Sequence, residues 1–413
     1  MRNPGVFMRD GHEIQLLQGS REYFPVLIDA VDHARSEIRI ETYIFDFHGA
    51  GAQVAESLER AARRGVTVWL VVDGVGTGEL PESWQKRFDQ AGVQWRIYSP
   101  LGRLGLLIPS GWRRLHRKLC VIDGRLAFCG GINILDDFHD PHHGTLKHPR
   151  LDFAVLASGA LVQQAQETTA QLWWRIQAVR NVHEHNFPHA FSLFRAAGLH
   201  LPWTEPDRDS MLYDSRLIVA KAGLLLRDNV LHRGQIEKAY RKAIGNARKE
   251  IIIANAYFVP GRKLRQALIH AARRGVRVRV LVQGRYEYFM QYYAARPVYG
   301  ALLEAGVEIY EYSASFLHAK VAVIDAATHR PWATVGSSNL DPLSLLLARE
   351  ANVVVEDAPF AAVLRNRLMH AIRHESRHLA KSHYVNRPLL QRVLDRIAFG
   401  LMRLALFVTG NRY

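Results

Sequence analysis

The chain has 413 residues, 48% apolar and 23% charged, a globular composition that excludes a collagen-like or disordered chain. Two cysteines, Cys120 and Cys129, are too few for a disulfide scaffold or a four-cysteine zinc site. A net charge of +15 favours polyanionic partners: nucleic acid, anionic lipid or phosphorylated substrates. The N-terminus lacks the apolar core of a secretory signal, and no uninterrupted apolar run is long enough for a spanning helix.

An internal repeat divides the chain into two copies of a unit of roughly 200 residues. Residues 61–74 read AARRGVTVWLVVDG, and residues 271–284 read AARRGVRVRVLVQG. Two further pairs of segments match in the same order, namely 34–45 with 247–258 and 115–124 with 317–326. This long period excludes a short-repeat solenoid.

Each copy predicts the same succession of elements. Apolar, β-branched runs predict strands, which in chain order cover Glu37–Phe45, Val66–Val72 and His116–Ile122 in the first copy and Glu250–Phe258, Val276–Val282 and His318–Ile324 in the second. An Arg-Arg-Gly sequence before the second strand of each copy puts glycine where a helix C-cap is expected. Strands that alternate with helices predict α/β layers around a largely buried sheet.

The connection from about 181 to 214, rich in Pro, His and aromatic residues, is the predicted domain boundary. We therefore expect an N-terminal lobe over 1–210, a C-terminal lobe over 211–375 and a basic tail over 376–413.

The chemistry lies in a duplicated motif. The first copy contains His116, Lys118 and Asp123, followed by the turn Gly-Gly-Ile-Asn at 130–133. The second contains His318, Lys320 and Asp325, followed by Gly-Ser-Ser-Asn at 336–339. Because side chains alternate along a strand, the His and Lys of each copy point to the same face. An imidazole beside an ammonium is a pairing that a hydrophobic core would avoid.

These residues resemble the two HKD motifs of the phospholipase D superfamily, over nearly the whole chain. The similarity is greatest to bacterial cardiolipin synthases of the B type, in segments 254–261, 270–284 and 332–352. The resemblance implies a duplicated, bilobed α/β fold with pseudo-two-fold symmetry and the active site between the lobes. It also implies catalytic roles for both copies of the motif: His116, Lys118, Asp123, His318, Lys320 and Asp325.

The residue chemistry agrees with that implication. One neutral imidazole can attack phosphorus, while the other, protonated, donates to the departing oxygen. Lys118 and Lys320 supply positive charge to the phosphate oxygens, helped by Asn133, Asn339 and Ser337 or Ser338. These asparagines and serines could instead be turn formers. Which histidine is the nucleophile cannot be read from such similar halves; family analogy favours His116.

Acidic residues further along could orient the histidines. By resemblance that role falls to Asp152, 36 residues after His116, and Glu350, 32 residues after His318. The alternative is a surface salt bridge for each. Strand parity puts Asp123 and Asp325 on the face opposite the histidines, which favours a structural or indirect part for them.

Three other segments stand out. The loop containing His139, His142, His143 and His148 could suggest a metal site, but a mobile loop near the active site is the preferred interpretation. The apolar segment 101–112 and the aromatic segment 286–293 are each either buried or lipid-facing. We expect neither a metal nor another cofactor.

The C-terminal segment predicts a membrane-surface helix over 389–408. Arg392, Arg396 and Arg403 fall within about 40° of one another on a helical wheel, opposite a mainly apolar surface. Such a helix can lie on an anionic leaflet, although it could instead pack on the protein.

Together these features predict a phosphatidyltransferase that makes cardiolipin from phosphatidylglycerol, peripherally bound at the cytoplasmic face of a bacterial inner membrane. Other phospholipids are expected as further partners, and nucleic acid is not. The same motifs would serve a phospholipase D-type hydrolase or a nuclease. A non-catalytic binding module with relic motifs is disfavoured because both copies are intact.

Overall fold

The structure is a computed structural model, and it describes residues 8–100, 113–140, 143–183, 217–228, 234–285, 289–341, 348–385 and 391–401 apart from 392 and 399. The chain forms two compact units. The first unit comprises 8–136 and 154–224, and the second comprises 1–7, 137–153 and 225–413. The second unit thus includes a segment, 137–153, from within the predicted lobe 1–210. The predicted boundaries at 210 and 375 stay predictions. The apolar segment 101–112 and most of the connection 181–214 lie outside the described residues.

The strands, in chain order, are β1 (Arg9–Gln18), β2 (Glu37–Thr42), β3 (Thr67–Asp73), β4 (Gln94–Tyr98), β5 (Arg114–Leu115), β6 (Lys118–Ile122), β7 (Leu126–Gly130), β8 (His139–Asp140), β9 (Gly144–Thr145), β10 (Phe153–Ala157), β11 (Ile218–Arg227), β12 (Glu250–Asn255), β13 (Arg277–Gln283), β14 (Glu308–Tyr312), β15 (Lys320–Ile324), β16 (Trp332–Gly336), β17 (Ala348–Glu356) and β18 (Ser376–His378). The helices are α1 (Gly19–Asp32), α2 (Gly49–Arg63), α3 (Glu82–Ala91), α4 (Ala160–His183), α5 (Gln235–Asn246), α6 (Arg262–Arg273), α7 (Phe289–Glu304), α8 (Ala358–His374) and α9 (Lys381–Val385).

The two copies have the same arrangement of parallel and antiparallel strands, which confirms the predicted duplication. In the first unit the strand order is β10-β7-β6-β2-β3-β4, and in the second it is β17-β16-β15-β12-β13-β14. The three strands at the end of each order are parallel, and the pairings before them are antiparallel. The parallel strands are linked by α2 and α3 in one copy and by α6 and α7 in the other, as expected for parallel neighbours.

The central strands of each unit carry fully buried apolar side chains. Ile38, Val68 and Leu70 in the first unit, and Ile251 and Ile253 in the second, have no exposed surface. In the first unit this core is closed by α1, α2 and α3. β12 (EIIIAN) is a nearly continuous apolar run, as expected for a strand buried on both faces, whereas β2 (EIRIET) alternates apolar with charged or polar residues.

The Arg-Arg-Gly prediction is confirmed at both helix ends. Gly65 and Gly275 follow α2 and α6 with φ of 93° and 87°, a conformation that favours glycine. The next residue, Val66 or Val276, donates its N–H to the carbonyl of Ala61 or Ala271. This Schellman-type ending turns the chain straight into β3 and β13.

The described part of the C-terminal segment is helical from 391 to 401, apart from residues 392 and 399. Val393, Ile397 and Leu401, four residues apart, are 50%, 50% and 48% exposed, whereas Asp395 and Ala398 are buried. An apolar stripe therefore faces outward. Arg392 and Arg403 lie outside the described residues. Among the described helices, none has the length and apolar character needed to cross a bilayer.

Candidate active site

Each motif histidine lies just before a strand and not within it. Strands β6 and β15 begin at Lys118 and Lys320, two residues later than predicted. The residue before each histidine is held by a side chain at the end of the second parallel strand. In the first unit Asp73 Oδ2 accepts the N–H of Leu115 at 2.7 Å, and in the second Gln283 Oε1 accepts the N–H of Leu317 at 3.2 Å. Asp73 and Gln283 were missed in the sequence, although they occupy matching positions of the repeat.

The motif lysines are buried beside their histidines. Lys118 and Lys320 are 3% and 0% exposed. Lys118 Nζ donates to the carbonyl oxygen of His116 at 2.7 Å, and Lys320 Nζ donates to that of His318. A buried ammonium is costly unless it has partners, so each of these cations is held in a fixed position at the backbone of its own histidine.

Tyr43, which follows β2, lies against the first motif. Its ring centroid is 5.1 Å from that of His116, and Lys118 Nζ is 5.3 Å from the same centroid. His116 and Lys118 therefore both lie near one aromatic ring, although His116 precedes the strand. The matching residue of the second copy is Ala256. Sequence analysis overlooked Tyr43, although this difference between the two repeats could have marked it as a candidate site residue.

Asp152 holds the histidine of the second motif. His318 Nδ1 lies 2.6 Å from Asp152 Oδ2, with the carboxylate 2% exposed and the imidazole 19% exposed. Backbone bonds fix the two segments together, since Leu151 N–H donates to the Phe316 carbonyl and His318 N–H to the Leu151 carbonyl, both at 2.9 Å. With Nδ1 occupied by the carboxylate, Nε2 is left for chemistry.

Glu350 occupies the position in β17 that matches Asp152, because Asn352 pairs with Gly336 as Ala154 pairs with Gly130. It has no exposed surface and accepts a hydrogen bond from the Ser337 hydroxyl. It is therefore no surface salt bridge, the alternative that the sequence left open.

The turn residues after the two motifs have different surroundings. Asn133 Oδ1 accepts the N–H of Ile44 at 3.1 Å, a turn-forming contact within the first unit. In the second unit Asn339 Oδ1 and the Ser338 hydroxyl are buried, and neither has a hydrogen-bond partner among the described residues. Buried polar groups without partners are rare and costly. The Ser338 hydroxyl can donate to an oxyanion, whereas Asn339 Oδ1 is an acceptor and suits a donor such as a substrate hydroxyl.

Asp123 and Asp325 bind backbone instead of the histidines. Asp123 accepts N–H bonds from Arg35, Ser36 and Glu37 at 2.8, 2.8 and 2.9 Å. Burial alone would raise the pKa of Asp123, but these hydrogen bonds outweigh it and lower the pKa. Asp325 makes the same contacts with residues 248–250 at 2.7, 2.8 and 2.9 Å. Both acids have positive φ, 53° and 52°, and both fasten the start of β2 or β12.

Arg117, between the motif His and Lys, forms a buried ion pair with Glu41 of β2. The two side chains are 3% and 1% exposed. The second copy has Ala319 and Ala254 at the matching positions, both fully buried. One repeat thus joins its motif strand to the neighbouring strand by charge, and the other does so by apolar packing.

Neither the histidine-rich loop nor the cysteines add a metal site among the described residues, where no three His, Cys, Asp or Glu side chains are grouped to hold an ion. His142 lies outside those residues. Cys120 and Cys129 are buried free thiols, and burial raises the pKa of Cys120 far above its usual value.

Comparisons with known proteins agree with this geometry. The family described as "Cardiolipin synthase, PLD-like domain" matches residues 27–143 and 240–372, one segment for each motif. Cardiolipin synthase B of Escherichia coli (strain K12) is 37% identical over 87% of this chain and 80% of its own length. Cardiolipin synthase B of Salmonella typhi is 35% identical over 96% of this chain and 89% of its own length.

The crystal structure of phosphatidylserine synthase from Haemophilus influenzae Rd KW20 shares the fold, with a TM-score of 0.66, 12% identity, and coverage of 98% of this chain and 95% of that one. The duplicated mixed sheet, the paired motifs and these sequence matches lead to one conclusion. The chain belongs to the cardiolipin synthase family of phospholipase D-like proteins.

Proposed function

We propose that the protein is a cardiolipin synthase that moves a phosphatidyl group from one phosphatidylglycerol to a hydroxyl of another. Phosphatidylethanolamine is a second possible donor. The observation that carries this proposal is the His318–Asp152 pair in a chain with two intact motifs. A histidine fixed at Nδ1 by a carboxylate, with Nε2 directed to the reaction, is suited to proton transfer to and from an alcohol oxygen.

In the first half-reaction, His116 Nε2 attacks phosphorus and forms an N–P bond, and the P–O bond to glycerol breaks. His318 donates its Nε2 proton to the departing alkoxide, so neutral glycerol leaves. Asp152 stabilises the His318 imidazolium beforehand. Tyr43 supports the assignment of His116 as nucleophile, because its ring restricts the imidazole.

In the second half-reaction, a hydroxyl of a second phosphatidylglycerol attacks the same phosphorus. His318 takes the hydroxyl proton, the N–P bond breaks, and His116 is regenerated. One phosphodiester is exchanged for another, so the reaction consumes no external energy source. Lys118 and Lys320 compensate the charge of the phosphorus oxygens, and the Ser338 hydroxyl and Asn339 amide supply further polar contacts.

An anionic membrane surface is part of the proposal. Val393, Ile397 and Leu401 form an outward apolar stripe, and Arg396 beside it is exposed. Apolar side chains next to arginine suit the boundary between headgroups and acyl chains. Replacing the three apolar residues with serine should weaken binding to phosphatidylglycerol vesicles without changing net charge. Val219→Ser, at a 69% exposed valine elsewhere, is the control. Equal binding by both variants would exclude the stripe as a membrane contact.

The test of the reaction is incubation of purified protein with phosphatidylglycerol vesicles. We expect cardiolipin and glycerol in equal amounts. Phosphatidic acid in place of cardiolipin would show that water resolves the intermediate and that the protein is a hydrolase.

The histidine roles can be separated with a phosphatidyl ester of nitrophenol, a leaving group that needs no proton. Labelled lipid should become trapped on His318→Ala and not on His116→Ala. If labelled lipid were trapped on His116→Ala alone, His318 would be the nucleophile and His116 the proton donor. Because the two groups act as a unit, the double variant should be little worse than either single variant on the natural substrate.

A further inference from the structure

A cavity of ≈ 430 Å³ opens within the second unit beside the histidine loop. Four of its lining residues come from the segment before Asp152, one follows β13, and one lies two residues before His318. In that order they are His143, Thr145, Leu146, Lys147, Arg285 and Phe316. Leu146 and Phe316 are buried, whereas Lys147, Arg285 and His143 are exposed. The cavity therefore has an apolar wall and a cationic rim.

One wall residue of the cavity, Phe316, lies two residues before the reacting histidine. Phe316 and His318 are two residues apart, so their Cα atoms are at most about 7 Å from each other. The same backbone bonds that hold Leu151 between Phe316 and His318 also fix the cavity wall against the His318–Asp152 pair. A ligand in this cavity would therefore contact Phe316, whose backbone is held in the same hydrogen-bonded segment as His318.

Within the part of the chain that the structure describes, the two rim cations Lys147 and Arg285 have no acidic partner. Arg285 donates to the carbonyls of Ser313 and Ala314 at 3.4 and 2.9 Å, and its guanidinium carbon lies 5.8 Å from the Phe316 ring centroid. These contacts hold Arg285 at the rim without cancelling its charge. The positive rim suits an anion, and the apolar wall suits the carbon skeleton attached to it.

The proposed reaction requires an anion site in such a place. The acceptor phosphatidylglycerol brings its own phosphodiester, which a single glycerol joins to the attacking hydroxyl. When that hydroxyl lies at His318, its phosphate must lie a few bonds away, outside the space taken by the donor phosphate. We propose that the Lys147–Arg285 cavity binds the phosphodiester of the acceptor phosphatidylglycerol, an inference that rests on the proposed function.

The test measures two outcomes of one intermediate. Labelled free glycerol should enter phosphatidylglycerol by reversal of the first half-reaction, which needs no acceptor phosphate. Cardiolipin formation needs the acceptor. We expect Lys147→Glu to lower the ratio of cardiolipin formed to glycerol exchanged by about tenfold, the lower end of what hydrogen bonds to charged groups contribute, because Lys147 is exposed to solvent. Lys147→Arg should retain the wild-type ratio.

Lys263→Glu is the matched control, since it reverses an exposed lysine charge on α6 of the same unit, outside the cavity lining. General effects of charge on vesicle binding or folding change both reactions together and leave the ratio intact. An equal fall in both reactions for Lys147→Glu, or the same fall in the ratio for Lys263→Glu, would overturn the acceptor assignment.

Inorganic phosphate distinguishes the lipid from a free anion as the ligand. If the cavity binds the acceptor phosphodiester, millimolar phosphate competes with it and should lower the wild-type ratio more than the Lys147→Glu ratio. If the ligand is free phosphate, its addition should raise the wild-type ratio, and that result, or an equal response of both proteins, would overturn the assignment. A wild-type protein that forms no cardiolipin and exchanges no glycerol would refute the proposed function itself, independently of this cavity.

Discussion

Replacing Asp152 with Asn should impair catalysis while leaving the fold intact. The carboxylate is 2% exposed and lies 2.6 Å from His318 Nδ1, so its charge acts on the imidazole with little screening by water. Asparagine keeps the size and one acceptor oxygen but removes the charge. Hydrogen bonds to charged groups contribute about 1.5–3 kcal/mol, and 1.36 kcal/mol is tenfold in rate, so kcat/KM should fall about 10- to 150-fold.

Comparing two leaving groups distinguishes a loss of proton transfer in Asp152→Asn from a distortion of the site. Asp152 acts through His318, and His318 protonates the departing alkoxide in the proposed mechanism. The fall in the rate of adduct formation should be large with glycerol as leaving group and small with nitrophenolate. Distortion of the site would lower both rates to a similar extent. The assay is single-turnover adduct formation from each lipid.

Asp325→Asn is the control for this experiment. Asp325 is 6% exposed, lies in the same unit and carries the same charge, but its contacts are the N–H groups of residues 248–250. Asparagine tolerates the positive φ at this position. We expect the unfolding free energy to fall by about 1–3 kcal/mol and the activity of the folded enzyme to stay close to that of the wild type. Wild-type kcat/KM in Asp152→Asn would refute the reasoning, as would a large activity loss in folded Asp325→Asn.

The remaining predictions concern the first unit. Tyr43→Ala should lower kcat several-fold, because His116 and Lys118 lose the ring they contact, whereas Tyr43→Phe should keep most activity; equal losses would assign the effect to the hydroxyl. Arg117→Ala and Glu41→Ala should each lower the free energy of unfolding in urea by about 3–5 kcal/mol, since either leaves a buried charge without its partner. The double variant should lose less than the sum of the two single losses. Strictly additive losses would argue against a coupled pair. Because the folded pKa of Asp123 is lowered, its contribution to stability is present above the unfolded pKa of about 3.9 and is lost as pH falls through the folded value. The melting-temperature difference between wild type and Asp123→Asn should therefore be constant near neutral pH and shrink below about pH 4, and a constant difference down to pH 3 would contradict this.

Much of the architecture is encoded locally and could be predicted. Strand and helix signals depend on residues within a few positions of each other, so the repeat, the Arg-Arg-Gly helix ends and the motif strands were all readable. Strand ends were less accurate. β6 and β15 begin after His116 and His318, and in each copy the residue before the histidine donates its N–H to a distant side chain, Asp73 or Gln283. Those two acceptors are more than 30 residues away in sequence.

The functional contacts depended on the tertiary structure. The resemblance marked Asp152 as an acid that orients a histidine, and it lies 36 residues after His116 of the first motif. In the structure, however, Asp152 contacts His318 of the second motif, which is 166 residues away. The segment before Asp152 also brings Lys147 to the cavity beside Phe316. Sequence alone determined the duplicated strands and the residue types of each motif, because local periodicity and composition specify them. Only the tertiary structure decided which acid meets which histidine, because that depends on how distant backbone segments pair.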